Sequence, residues 1–529
     1  MAPGGPRPTG LTVADRTVGN GTLLGTIAAE AATRYGDTPL YVTPEGATLS
    51  YAELDRLSDG VAAGLAGRGI EVGDVIGLLL PSGAAYAVAY VAAAKLGAVT
   101  AGVNDRLSPP ERRRCLEIVG PRLVMASGEL ARSTDMVGAE GIGEVVEVDP
   151  TAAPAETLAE VRTPGTSGTK VPAIGPDPDR PVAVVFTSGT TGEPKGAVFC
   201  DRQLDAIGEA DGGRRWGSGG RGLSSTSFAH LGYMTKLPQA LRGGGTTYLM
   251  GRWSAGEALA MVARHRLTTL GGIPTQVALM LAHETFGTTD VSSIRIIALG
   301  GGPATASLVR ETRRRFGVPV VVRYTCTEAG VGVGTVADDP PEDAEVSVGR
   351  ARAGVEVTVR DEADRPVAAG ETGQICLRSE AVMAGYHGNP EATRAALTAD
   401  GAVRTGDLGY VDDRGRLHLA GRSKEMYVRG GYNVFPLEVE EVLADHPAVA
   451  HVAVAPRPDP VMGEIGVAVV VVRTGAEIPT LEILRAHAKP RLASHKLPEA
   501  LVITDELPRT AMEKIDRRGL AQMVATAAP

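Results

Sequence analysis

The stretch Val182–Phe199, VAVVFTSGTTGEPKGAVF, decides the fold. Its opening run is apolar and rich in valine, which reads as a buried strand. The strand delivers the chain into Thr187, Ser188, Gly189, Thr190, Thr191, Gly192 and Lys195. Glycine lets backbone N–H groups approach an anion closely, the hydroxyls add donors, and the lysine adds a point charge. This composition suits the phosphate tail of a nucleoside triphosphate. The GxxxxGK[ST] spacing of a Walker A loop is absent, and the GAVF that follows reads as a second strand rather than a helix. A similar run, GTSGTK at 165–170, lacks a leading strand and lies within the Pro-, Ala-, Gly- and Thr-rich stretch 149–181, which reads as a loop or linker.

On both sides of this loop, short apolar runs alternate with amphipathic stretches. DVIGLLLPSG (74–83) and PRLVMASG (121–128) read as strands closed by turns, and AAYAVAYVAAAKLGA (84–98) reads as a helix. The rhythm returns at 267–283 and 294–317. Strand-then-helix alternation predicts parallel sheets covered by helices, an α/β class. After about residue 340 the texture changes to the polar–apolar alternation of antiparallel strands, as in GVEVTVRDEADRPVAAGETGQICLRS (354–379). From 421 onward a smaller unit is predicted, with a helix at PLEVEEVLADH (436–446), strands at 449–457 and 465–473, and a last helix from near Leu481.

Length and composition set the outer bounds. A chain of 529 residues exceeds one hydrophobic core, so two or more domains are expected. With 53 basic and 62 acidic residues the formal charge is −9, which speaks against a nucleic-acid surface but leaves room for a local anion pocket. Cys115, Cys200, Cys326 and Cys376 are scattered, so neither a disulfide framework nor a zinc site is expected, and a reducing, cytoplasmic setting fits. The leader MAPGGPRPTGLTVADR has no continuous apolar run and does not read as a signal peptide. The most apolar helical stretch, 85–103, is interrupted by Lys95 and two glycines and reads as a buried helix, not a membrane span. The triplets Arg112–Arg114 and Arg313–Arg315 read as solvated helix faces.

FTSGTTGEPKG resembles the phosphate loop of the adenylate-forming enzymes: acyl- and aryl-CoA synthetases, peptide-synthetase adenylation domains and luciferases. Further motifs fall in that family's order over nearly the whole chain. VRYTCTEAG (322–330) resembles its aromatic-Gly-x-Thr-Glu segment. The resemblance implies that Tyr324 lies against adenine, Thr327 contacts the α-phosphate and Glu328 holds Mg²⁺, a hard cation that prefers carboxylate oxygen. Thr325 stands where the family has glycine, and Cys326 stands where other small side chains occur, beside the acid pocket. ALGGGPATA (298–306) is similar to the glycine turn on the adenine side, implying backbone approach at Gly300, Gly301 and Gly302. VRTGDLGYVDDRGRLHLAGRSKE (403–425) resembles the ribose segment and hinge. Asp407 would accept from the ribose hydroxyls, Arg422 would support ribose or phosphate, and Lys424 would be the hinge. In RGGYNVF (429–435), Gly431 would let a pantetheine arm pass. In STSFAHLGYMTKLPQAL (225–241), His230 resembles the gate of the acid pocket, and Asn-x-Arg-Leu at 104–107 is closer in style to acyl-CoA synthetases than to peptide synthetases.

LPRTAMEKIDRR (507–518) is similar to the family's C-terminal lysine motif, with Glu513 where glycine usually precedes the lysine. Lys514 would be carried into the active site by a mobile domain. The resemblance therefore implies a large N-terminal domain, 1–422, of helix-covered sheets with a small β-barrel-like part, and a small mobile α+β domain, 423–529. It further implies an ATP- and Mg²⁺-dependent ligase. Thr187, Lys195, Glu328 and Lys514 would serve the chemistry of joining a small carboxylic acid to AMP, and the acyl group would pass to coenzyme A. The alternatives are transfer of the activated acid, or of a small oxyanion, to an amine or carrier protein, and a non-catalytic nucleotide-binding relative. The acid and the oligomeric state are left open.

Overall fold

The computed structural model describes residues 21–153, 156–162, 173–187, 193–422, 425–510 and 514–526. These residues build four sheets. The first has seven strands in the order Gly385–Tyr386, Lys195–Cys200, Pro181–Thr187, Val99–Gly102, Val75–Leu79, Leu123–Ser127 and Glu144–Val148. Its last five strands run parallel, and the two at the other edge are antiparallel. The second sheet has nine strands, with six parallel strands at its centre, among them Thr269–Gly272, Ile296–Gly300 and Val320–Tyr324. The strand-then-helix rhythm gives this arrangement, since parallel neighbours need a crossover that covers the sheet.

Helix Ala84–Leu96 joins the layers. All but its first residue and Lys95 are buried, as a helix apolar all round must be. Lys95, in the last turn, pairs with Asp55 and Asp59, each at 2.6 Å. The apolar stretch after Gly97 does not continue the helix. Gly97 takes φ +73° as a left-handed cap, and Val99–Gly102 becomes a central strand. Tyr86, Phe228 and Tyr233 pack edge and face, with the last two rings stacked at 3.6 Å, and the Tyr90 hydroxyl donates to the Met234 carbonyl at 2.7 Å. This cluster fixes the segment that carries His230 against the sheets.

The antiparallel texture past residue 340 forms a four-stranded sheet, Glu356–Arg360, Gly373–Arg378, Val403–Val411 and Leu417–Arg422. The C-terminal unit holds a five-stranded sheet. Its long hairpin Val449–Asp459/Gly463–Val472 is flanked by helices Pro436–Ala444 and Leu481–Ala488. The last helix is Arg517–Thr526 rather than the one at Leu481, and Leu520 and Val524 seal the sheet's second face.

Three other expectations change. Arg112 is buried, donating to Ser133 Oγ at 3.0 Å and to the Asp105 carbonyl, so only its neighbours face solvent. The Arg313–Arg315 run is also used: Arg313 pairs with Glu345 at 2.7 Å and Arg315 lies over the Phe286 ring at 4.0 Å. Part of the linker is anchored as well, since Leu158 and Val161 are buried against helix Tyr51–Gly67. A Cβ at Gly64 would lie 1.7 Å from the Val161 carbonyl oxygen. Gly64→Ala is therefore expected to cost roughly 1–3 kcal/mol in chemical denaturation. Gly67→Ala in the same helix, with nothing within 4 Å, should be neutral or slightly stabilising.

Candidate active site

The site residues gather at the carboxyl ends of the parallel strands, where α/β sheets place their ligands. Thr187, Gly300 and Tyr324 are each the last residue of their strand. Thr187 stands opposite Lys195 in the antiparallel pair on either side of residues 188–192. Ser188, Gly189, Thr190, Thr191 and Gly192 lie outside the described residues, as do Lys424 and Glu513. Gly300 pairs with Arg323, and a Cβ there would meet the Arg323 carbonyl at 3.2 Å. Gly301 takes φ +77°, and both Gly301 and Gly302 are exposed, so this turn presents bare backbone.

Tyr324 reaches across to the four-stranded sheet. Its hydroxyl donates to Asp407 Oδ2 at 2.7 Å, and Arg422 Nε donates to Asp407 Oδ1 at 3.0 Å from the directly opposite register position. Asp407 is 8% exposed as a residue, so these two donors compensate the burial of its carboxylate. Burial, with the Asp407 charge, pushes the Tyr324 hydroxyl well above its ordinary range, so it stays protonated as a donor. After Tyr324 the chain passes Cys326 and enters the 3₁₀ turn Thr327–Ala329, which presents Glu328. Burial, then the nearby Glu328 charge, pushes the Cys326 thiol well above the usual range. That thiol is neutral at physiological pH and no nucleophile.

Tyr386, which sequence reasoning missed, completes this side. Its hydroxyl donates to Glu328 Oε1 at 2.6 Å, and Lys195 Nζ lies 5.3 Å from its ring centroid. It lies 58 residues from Glu328 in a GYHGNP run that reads as an ordinary turn.

The C-terminal unit supplies Lys514. The Thr510 N–H donates to the Lys514 carbonyl at 2.8 Å, and Arg509 bridges Ile515, so the lysine sits in a pinned turn. Lys514 is exposed to solvent, yet the protein around it removes part of its hydration. This desolvation, with the Arg422 charge, lowers the Lys514 pKa, and Asp407 partly opposes the shift. His230 lies within the same field. Burial, then the Lys514 charge, brings it down to about 4, so its ring is neutral at pH 7. Lys195, Tyr386, Glu328, Cys326, Tyr324, Asp407 and Arg422 thus form one connected group, and Lys514 lies near enough to Asp407, Arg422 and His230 for their charges to act on one another. Gly431 is not joined to it by any contact among the described residues; it lies exposed at a hairpin tip with φ +87°.

No helix is long and apolar enough to cross a membrane among the described residues. Nor do those residues contain a cluster of three or more His, Cys, Asp or Glu able to hold a metal. A cation at Glu328 would have one protein carboxylate and otherwise phosphate and water oxygens, which is how Mg²⁺ is commonly held, so the donor set fits.

The sequence matches the family described as AMP-binding enzyme over residues 28–387 and the AMP-binding enzyme C-terminal domain over 438–514. The chain belongs to this adenylate-forming family. It is an AMP-forming acid–thiol ligase of the acyl-CoA synthetase type. It is 32% identical over 483 residues to an indoleacetate–CoA ligase of Aromatoleum aromaticum, covering 90% of this chain and 93% of that one. It is 34% identical over 484 residues to a feruloyl-CoA synthase of an Amycolatopsis species, covering 89% and 93%. Among solved structures it is similar to the amide bond synthetase McbA of Marinactinospora thermotolerans, with a TM-score of 0.83, 27% identity, and coverage of 95% of this chain and 100% of that one.

A pH dependence follows from His230. The unfolded chain takes up a proton near pH 6.5, while the folded state resists protonation until about 4. Between these values the unfolded state binds more protons, so stability falls as pH falls through the window. The full effect is at most about 3 kcal/mol. Denaturation midpoints from pH 7 to 4 should drop more steeply for the native chain than for His230→Gln, and parallel curves would exclude a buried neutral histidine.

Proposed function

We propose that this chain uses ATP to activate a small carboxylic acid and then passes the acyl group to the thiol of coenzyme A. The observation that carries this reading is the connected group itself. A lysine from the C-terminal unit lies in one electrostatic field with the Asp407–Arg422 pair and with His230. In the proposed roles, Thr187 and Lys195, with the loop between them, hold the triphosphate. Gly300–Gly302 and Tyr324 flank the adenine, Asp407 and Arg422 the ribose, and Thr327 the α-phosphate. His230 and Cys326 border the acid. The neutral ring of His230 suits a pocket wall, since it places no competing charge beside the acid's carboxylate.

Glu328 would hold Mg²⁺, which when bound neutralises charge on the phosphate oxygens. A carboxylate oxygen attacks the α-phosphorus, forming a new P–O bond as the bond to pyrophosphate breaks. Both partners are anionic, so Lys514 lowers their repulsion as they close, which favours the transition state more than the ground state. Its lowered pKa is a consequence of that position, not a sign of base chemistry. In the second step the thiol attacks the acyl carbonyl and AMP leaves.

The proposed boundary lies between 422 and 423, with Lys424 as the hinge. It is supported by the anchoring of the residues on each side. Arg422 is fixed by Asp407, whereas Glu425 pairs with Arg517 of the C-terminal unit at 3.1 Å. Rotation there would withdraw Lys514 and bring Gly431 toward the site for thiol entry. The likeness to an amide bond synthetase favours one second reading, transfer to an amine.

ATP–pyrophosphate exchange over short, medium and aryl acids tests activation, and product mass with coenzyme A or amines present tests the acceptor. Lys514→Ala is expected to slow exchange by about 10²- to 10³-fold while changing nucleotide affinity only slightly. Glu513→Gly should be tolerated or mildly faster. Unchanged exchange in Lys514→Ala would remove that residue from the chemistry. Absence of exchange with every acid would favour a non-catalytic nucleotide-binding relative.

A further inference from the structure

Tyr386 belongs to a segment that contacts both halves of the phosphate end of the site. On one side, strand Gly385–Tyr386 pairs antiparallel with Lys195–Cys200, placing Tyr386 opposite Ala197. The Ala384 and His387 N–H groups donate to Val198 and Gly196 at 2.9 and 2.8 Å. On the other side, the Met383 N–H donates to the Glu328 carbonyl at 2.8 Å. Met383–His387 therefore laces the exit strand of the phosphate hairpin to the turn that presents Glu328. The side chain repeats the link. The hydroxyl holds Glu328 Oε1 at 2.6 Å while the ring faces the Lys195 ammonium at 5.3 Å.

A hydrogen bond to one carboxylate oxygen fixes both the torsion of the carboxylate and the direction of its other oxygen. A carboxylate that supplies the sole protein oxygen to a cation gains most from such a bond, because no other protein ligand corrects its orientation. Tyr386 is itself fixed. It is 9% exposed, its backbone is paired on the strand, and its N–H donates to Thr393 Oγ1 at 2.9 Å. Its ring is close enough to an ammonium for cation–π attraction, which restrains Lys195 on the triphosphate side. One rigid side chain thus sets the spacing between the metal carboxylate and the phosphate lysine.

We propose that Tyr386 is a positioning residue for MgATP: it orients Glu328 toward the cation and aligns Lys195 with it, so that cation and triphosphate are bound as one unit. This rests on the reading of Glu328 as the metal carboxylate. A merely structural tyrosine would instead affect stability and leave the metal dependence of nucleotide binding untouched.

The experiment titrates ATP against the full-length chain, by calorimetry or a fluorescent nucleotide competitor, with MgCl₂ varied from none to excess. It compares the native chain with Tyr386→Phe, Glu328→Gln and the double variant. Tyr386→Phe keeps the ring, and its fold is checked by denaturation. We expect it to raise the Mg²⁺ concentration for half-maximal enhancement of ATP binding roughly 10-fold, the usual cost of losing a partner of a metal ligand, with ATP binding in EDTA nearly unchanged. The double variant should match Glu328→Gln alone, since the hydroxyl acts only through that carboxylate. If Glu328→Gln weakens the Mg²⁺ dependence and Tyr386→Phe does not, the positioning role is overturned and the metal role stands. If Glu328→Gln leaves Mg²⁺ dependence intact, the metal reading itself fails. If the two single effects add in the double variant, Tyr386 does not act through Glu328.

Discussion

The site depends on a buried carboxylate held between two donors from different places. Asp407 is nearly inaccessible, and an unpaired charge there would cost several kcal/mol. Tyr324, at the end of a strand in the nine-stranded sheet, compensates one oxygen. Arg422, at the end of a strand in the four-stranded sheet, compensates the other. The pairing therefore fixes two sheets relative to one another and fixes the last described residue before the proposed hinge. Lys514 is felt by both Asp407 and Arg422, so the C-terminal unit is read at this same point.

A second tie stands at the phosphate end. The Met383–His387 segment joins the hairpin strand to the Glu328 turn, and Cys326 connects that turn to Tyr324. The groups of the site divide by charge. His230 and Cys326 are kept neutral by burial, whereas Lys195, Arg422 and Lys514 bring positive charge to where phosphates and a carboxylate would meet. Such a layout serves a reaction in which two anions must be brought together.

Much of this was legible because it is local. The apolar run into TSGTTGEPK specified a strand, and GAVF specified the returning strand. Strand-then-helix alternation specified parallel sheets, and the change of texture after 340 specified antiparallel ones. Where local rules competed, the reading slipped. The apolar stretch 85–103 looked like one helix, but Gly97 ended it. Arg112 looked solvated because its neighbours are charged, but its partners, Ser133 and the Asp105 carbonyl, come from outside its own helix. The last helix was missed because Arg517 and Arg518 mask the apolar face formed by Leu520 and Val524.

The sequence by itself determined which residue types stand at the carboxyl ends of which strands, and the order of motifs that places this chain among the adenylate-forming enzymes. The resemblance carried with it the expectation that a lone lysine near the C-terminus serves with a loop more than three hundred residues earlier. Only the tertiary structure decided which side chains touch. The Tyr324–Asp407 bond spans 83 residues and the Tyr386–Glu328 bond spans 58, and neither carries a local signal. The physical reason is that backbone periodicity is written within a few residues, whereas compensation of a buried charge is satisfied by whatever donor the packed sheets bring within 3 Å.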